Sequence, residues 1–196
     1  NSNESVGEVA SVEVLWETYG NGSAPNKGDL ISNLEYSAGY INFSTASMFR
    51  NGNALVAAKD AKGKILWSWH IWFSAHGFRE IEYANGAGIM MDRNLGATSD
   101  QPGTLGSLGL LYQWGRKDPF ISSKGGFYDI EGQSMAQSTL YSWNWPRSNS
   151  GAVSIDYSLQ NPYTYVCGSE DWCSDVDVVR WHHDKTIYDP CPAGWR

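Results

Sequence analysis

The chain has 196 residues, 41% hydrophobic and 18% charged, with a net charge of −7. That length holds one large domain or two small ones. The acidic balance excludes nucleic acid as the natural partner and an anionic membrane as an electrostatic one, and no run of about 18 apolar residues is present to span a bilayer.

In chain order, residues 1–8 are small and polar and read as a mobile leader. Residues 9–16, 30–36, 40–44 and 54–59 read as short strands rich in β-branched and aromatic residues. The Asp60-Ala-Lys-Gly63 stretch is a hairpin turn signal. Residues 65–73 then alternate, with Leu66, Ser68 and His70 on one face and Trp67, Trp69, Ile71 and Phe73 on the other. Strands at this spacing predict a small immunoglobulin-like sandwich over residues 1–77. The pattern weakens over residues 75–86, which places a domain boundary there, with a second domain over residues 78–196. That second part is loop-rich. Residues 105–114 read as a short helix or a strand pair, and residues 154–164 start like a helix and end at Asn161-Pro162. Ten Trp and eleven Tyr contradict disorder, so the expectation is a compact fold with long ordered loops.

Chemical motifs are sparse. His70, His76, His182 and His183 lack metal-ligand spacing and read as core or solvated side chains. No Gly-x-Ser-x-Gly elbow is present. Gly103, Gly106 and Gly109 read as a flexible surface loop rather than a phosphate cradle. Glu170, Asp171, Asp175 and Asp177 form an acidic stretch in which a hard cation such as Ca²⁺ is one reading and a solvated loop the other. Cys167 and Cys173 close a short loop and predict a disulfide, which leaves Cys191 without a partner in this chain. The aromatic set Tyr112, Trp114, Trp143, Trp145, Trp172 and Trp181 reads as core anchors, with one or two rings available as a sugar-stacking platform. Trp143, Asn144, Trp145, Asp171 and Trp172 are the candidate ligand-binding residues.

Three segments carry a resemblance. They are Gly52-Asn-Ala-Leu-Val with Ile65-Leu-Trp-Ser-Trp-His-Ile-Trp72; Met91-Asp-Arg-Asn-Leu-Gly-Ala-Thr98 with Leu111-Tyr-Gln-Trp-Gly-Arg-Lys-Asp-Pro-Phe120; and Lys185-Thr-Ile-Tyr-Asp-Pro-Cys-Pro-Ala-Gly-Trp-Arg196. Their order and wording resemble the fimbrillin-like surface proteins of Bacteroidales. The latter two resemble the Fibrobacter succinogenes major paralogous domain found in them. The resemblance implies an immunoglobulin-like first domain and a second, C-type-lectin-like α+β domain. It also implies a protein of the cell surface, outer-membrane-anchored or fimbrial. Such domains normally continue past the Gly-Trp-Arg, so the second is expected to be incomplete, with Trp195 packed and a sheet edge open near residues 188–196.

The expectation is a non-enzymatic adhesin or minor fimbrial subunit without a cofactor, binding a glycan or a surface protein through its second domain. Its further expected partners are other fimbrial subunits or its own cleaved C-terminal piece. The rivals are a structural pilin assembling by strand exchange and an enzyme of the formylglycine-generating type, which shares the fold. The enzyme needs a reactive cysteine pair, and the acidic loop between Cys167 and Cys173 raises thiol pKa values.

Overall fold

The computed structural model describes residues 5–121, 127–128, 134–135, 147–148, 151–167, 169–175 and 179–195. The fold is mostly β, with little helix and several small sheets. The strands are β1 (Ser11–Thr18), β2 (Ile31–Ser37), β3 (Tyr40–Thr45), β4 (Gly52–Lys59), β5 (Ile65–Phe73), β6 (Glu80–Tyr83) and β7 (Gly88–Met91), followed by the two-residue strands β8 (Phe127–Tyr128), β9 (Ser134–Met135), β10 (Arg147–Ser148) and β11 (Tyr165–Val166). A 3₁₀ turn spans Leu105–Ser107, and the single described α-helix, α1, spans Ile155–Gln160.

The largest sheet runs β5-β4-β1-β8-β9, all antiparallel. Between β5 and β1, β4 is buried along nearly its whole length because both faces are covered. Ala54 and Val56 point to one face, where Tyr19, Leu30, Ile31 and Phe73 complete a cluster flanked by Leu34 and Ile41. The antiparallel hairpin β2–β3 supplies this layer. It is tied down by the buried Glu17 carboxylate, which accepts the amides of Ile31 at 2.7 Å and Leu30 at 3.4 Å. Leu55 and Ala57 point to the other face. There Leu15, Trp16 and Ile65 meet Leu110, Phe120 and Ile121, with Tyr112, Tyr163 and Tyr165 at the margin. A bulge in β1 between Val14 and Trp16 adds the residue that lets Leu15 and Trp16 share this cluster.

The boundary expected near residue 77 therefore does not divide the core. Residues 15–65 and 110–121 pack in one cluster, and β8 pairs with β1 through Glu17–Tyr128 and Thr18–Phe127. Ala54-Leu55-Val56-Ala57-Ala58 is a continuous apolar run, buried throughout, so β4 has two faces to cover. The first 77 residues supply a cover for only one of them.

Polar contacts reinforce the join. Asn53 Nδ2 donates to Gly96 O at 2.8 Å, Trp72 Nε1 to Ala97 O at 3.0 Å, and His70 Nε2 pairs with Asn53 Oδ1 at 2.9 Å. The Lys117 ammonium donates to Ser68 O at 2.9 Å, Ser68 Oγ at 2.5 Å and Asp118 Oδ1 at 2.6 Å. These three side chains are buried, and Lys117 Nζ also sits 4.5 Å from the centre of the Trp67 ring. Burial pushes the Lys117 pKa down while Asp118 pulls it up. A buried charge kept this way is paired and hydrogen-bonded on several sides.

The strand readings over residues 9–73 shift by a few residues at most. The hairpin β6–β7 was not anticipated, because four-residue strands give little periodicity. Glu80-Ile81-Glu82-Tyr83 does alternate, and Asn85-Gly86 is a hairpin turn pair that signals it. The helical start at residue 154 is α1, whose cap Ser154 Oγ accepts the Tyr157 amide at 3.2 Å. Residues 105–114 give only the 3₁₀ turn and a bridge from Leu111 to Phe120.

Candidate functional site

The Leu111–Phe120 bridge closes a loop whose tip is Trp114-Gly115. Gly115 has φ +77, and a side chain there would meet Arg180 Nε at 3.1 Å, so glycine is required on both counts. The turn sends Gln113 and Arg116 inward and Trp114 outward. Gln113 imitates a neighbouring strand: its Nε2 donates to Val166 O at 2.7 Å and its Oε1 accepts the Val166 amide at 3.2 Å. The Arg116 guanidinium donates to Gln113 Oε1 and Thr164 O, both at 2.9 Å, and to Asn161 O at 2.8 Å. It also lies 4.9 Å from the Phe120 ring centre and 5.6 Å from that of Trp172. Burial holds its pKa below the usual arginine value, at about 10, and it stays charged at neutral pH.

This scaffold leaves a cleft of about 540 Å³ between residues 112–114 and 165–172. Trp114 stands at its edge, 68% exposed. Its backbone is fixed by Trp172 Nε1, which donates to Trp114 O at 2.6 Å, and its ring leans on Trp181 at 5.0 Å. The opposite edge carries Ser169, Glu170 and Asp171, all exposed. An aromatic face with its backbone locked, facing carboxylates and a hydroxyl, suits a ligand that is part apolar and part hydrogen-bonding.

The expected site residues fall differently. Asp171 is at the cleft edge. Trp172 is 6% exposed, with the Arg116 and Arg180 cations over its ring, and serves as the floor and anchor rather than as a free stacking face. Trp143, Asn144 and Trp145 lie outside the described residues. The ring that is presented is Trp114, whose sequence signal was its place between Gln113 and Gly115 in a turn.

The acidic stretch is occupied by backbone. Asp171 Oδ1 accepts the Cys173 amide at 3.1 Å, and Asp175 Oδ2 accepts that of Ile155 at 3.1 Å, where α1 begins. Glu170 is exposed, Asp177 lies outside the described residues, and among the described residues no three His, Cys, Asp or Glu side chains converge to hold a metal.

No disulfide joins Cys167 and Cys173. Cys167 Sγ lies 3.3 Å from Ser148 O and Cys173 Sγ 3.4 Å from Asp175 O, so the two sulfurs address different carbonyls. Cys173 is packed with Val166 and Trp172, and burial raises its thiol pKa. Cys191 is pushed up to about 11 by burial and then by Asp189. The segment before Trp195 is fastened by Lys185, whose Nζ donates to Cys191 O at 2.7 Å and Trp195 O at 3.1 Å and pairs with Asp189 at 3.2 Å. Trp195 is half-buried.

Of the histidines, only His70 is enclosed, and burial lowers its pKa to about 4. The glycine-rich loop is packed rather than flexible. Gly106 is buried, its carbonyl accepts the amides of Thr98 at 2.8 Å and Ser99 at 3.2 Å, and a side chain there would strike Thr98 Oγ1 at 2.9 Å. No described helix is long and apolar enough to cross a membrane. No family model, no curated protein and no solved structure matches the chain.

Proposed function

We propose that this chain is a ligand-binding component of a bacterial cell surface: an adhesin or a minor or tip fimbrial subunit, outer-membrane-anchored or fimbrial. In this reading it takes a glycan or a protein ligand in the cleft beside Trp114. The observation that carries the reading is the exposed Trp114 ring above a buried Trp172 anchor. An amphipathic indole suits a half-wet cleft edge, and the lock on its backbone limits the entropy lost on binding. Glu170 and Asp171 favour a neutral or basic ligand over an acidic one. The raised thiol pKa values of Cys173 and Cys191 argue against a reactive-cysteine enzyme of the formylglycine-generating type. The fimbrillin-like wording of the sequence supports the surface location, and long ordered loops suit a C-type-lectin-like second part.

The test is a glycan and surface-protein array probed with the parent chain, Trp114→Ala and Asp171→Asn. Asparagine keeps the oxygen that accepts the Cys173 amide and removes only the charge. Binding lost in Trp114→Ala and reduced for basic ligands in Asp171→Asn supports the reading. Array hits indifferent to both substitutions reject this cleft as the site.

A structural subunit that adds a strand to a neighbour is the second reading. It rests on β6–β7, a separate two-stranded ribbon whose Ile81, Tyr83, Ile89 and Met90 are 45–57% exposed.

A further inference from the structure

A further cleft, about 790 Å³, lies beside the start of β4, where the chain leaves β1 and the 3₁₀ turn packs on Thr98 and Ser99. Its chemistry is opposite to that of the Trp114 cleft. Acidic residues outnumber basic ones by 21 to 14 in this chain, yet no carboxylate lines this space and one cation does, Arg50.

Arg50 is exposed, and its guanidinium makes no salt bridge among the described residues. It is held over the Tyr19 ring, 5.3 Å from the centre. Tyr19 is itself fixed, buried and donating its hydroxyl to Asp29 Oδ2 at 2.6 Å. Asp29 is an anion whose field reaches Arg50. Its same oxygen also accepts the Asn26 amide at 2.9 Å, so it is engaged in the loop rather than with Arg50. Beside Arg50 the Phe49 ring, 48% exposed, touches Phe73 edge-on at 6.4 Å and keeps a face toward the cleft. Asn21 Nδ2, Ser23 Oγ and Thr98 Oγ1 border the same space and are uncommitted to other described residues.

We propose that this cleft is a second binding site, for a saccharide carrying a carboxylate, with Arg50 gripping the carboxylate and Phe49 lying against the sugar ring. A planar guanidinium pairs with a carboxylate through two parallel hydrogen bonds, which a lysine cannot reproduce. Hydroxyl and amide side chains around the grip match sugar hydroxyls. A peptide C-terminus is less well served, because its capture uses a nest of backbone amides. The inference is independent of the Trp114 cleft, since each site is read through its own substitution.

The experiment is calorimetric titration of the chain with two acidic probes, tetragalacturonate and a hyaluronan tetrasaccharide. Two neutral probes, cellotetraose and chitotetraose, and a peptide with a free C-terminal carboxylate complete the set. The parent is expected to bind at least one acidic sugar saturably, roughly tenfold or more tighter than the neutral ones, with affinity falling as salt rises. Arg50→Gln and Phe49→Ala should each weaken it, Arg50→Lys should fall between, and Lys62→Gln, at the far turn of β4–β5, should leave it unchanged. Arg50 is exposed, so Arg50→Gln should melt with the parent; if it does not fold, Arg50→Lys and Phe49→Ala decide. No saturable binding to either acidic sugar overturns the proposal. So does equal affinity for neutral sugars, binding unmoved by the Arg50 and Phe49 substitutions, or a preference for the peptide.

Discussion

The Trp114 cleft and the Arg50 cleft differ in charge and in what holds them. The Trp114 cleft has carboxylates at its edge and no cation in its lining, and it stands on a buried framework of Gln113, Arg116 and Trp172. The Arg50 cleft has a cation and no carboxylate, and its walls are the segment that follows β1, the segment that leads into β4 and the packed turn at Gly106. A chain of net charge −7 that keeps one cleft free of acids has sorted its charge by position, and position rather than total charge sets what each surface accepts. The difference also teaches that a loop-rich segment is as ordered as its buried polar contacts make it.

The largest effect should come from the framework of the first cleft. Arg116→Ala takes the guanidinium donor from the Thr164 carbonyl, from Gln113 Oε1 and from the Asn161 carbonyl, which keeps only the Thr164 amide, and removes the cation between Phe120 and Trp172. The expected loss is about 3–5 kcal/mol of stability, read by urea denaturation. If Arg116→Ala melts like the parent, the cleft is not built the way the hydrogen bonds indicate.

Next is acid. His70 sits under the join to Gly96, with its folded pKa near 4 against an ordinary value of 6.5. A depressed folded value means the unfolded chain binds the proton more readily. This contribution to stability is therefore whole above about pH 6.5, is lost as pH falls towards 4, and levels off below it, the full loss being on the order of 3 kcal/mol. Denaturation of the parent and His70→Gln at about pH 7.5 and about pH 4.5 separates this from titrating carboxylates. Equal pH dependence in both proteins would remove His70 from the explanation.

Gly106→Ala should cost less, about 1–3 kcal/mol, since its new methyl meets Thr98 Oγ1 and Ser99 Cβ at 2.9 and 3.0 Å. Those residues line the Arg50 cleft, so acidic-sugar binding should fall while any Trp114 ligand binds as before. An equal loss at both clefts would show that they are not separate. Smallest in stability is Trp114→Ala, expected within about 0.5 kcal/mol of the parent because the ring is mostly in water.

The strands that build the sheet were legible because they alternate, and β5 kept the phase read from Ser68, His70, Ile71 and Phe73. Less legible was what covers the second face of the sheet. Leu55 and Ala57 announce a second buried face but not which distant residues cover it, and Leu110, Phe120 and Ile121 give no period of their own. Trp172 and Trp114 are the same residue type in similar polar surroundings, and only the turn at Gly115 decides that one is floor and the other is edge. The expected Cys167–Cys173 pair was a spacing argument, and spacing does not show where each sulfur points. The 3₁₀ turn at Gly106 looked like a flexible loop because its hydrogen bonds run to Thr98 and Ser99, earlier in the chain and outside any pattern.

The central claim is that the locked, exposed Trp114 is where this protein meets its ligand. The most direct measurement is an NMR titration of the tryptophan indole N–H signals, assigned by single Trp substitutions, with the strongest neutral or basic array ligand. The Trp114 signal is expected to move most and saturate, while the signal of Trp72, bonded to Ala97 O at the sheet join, stays in place. A ligand that saturates the protein while the Trp114 signal does not move would contradict it.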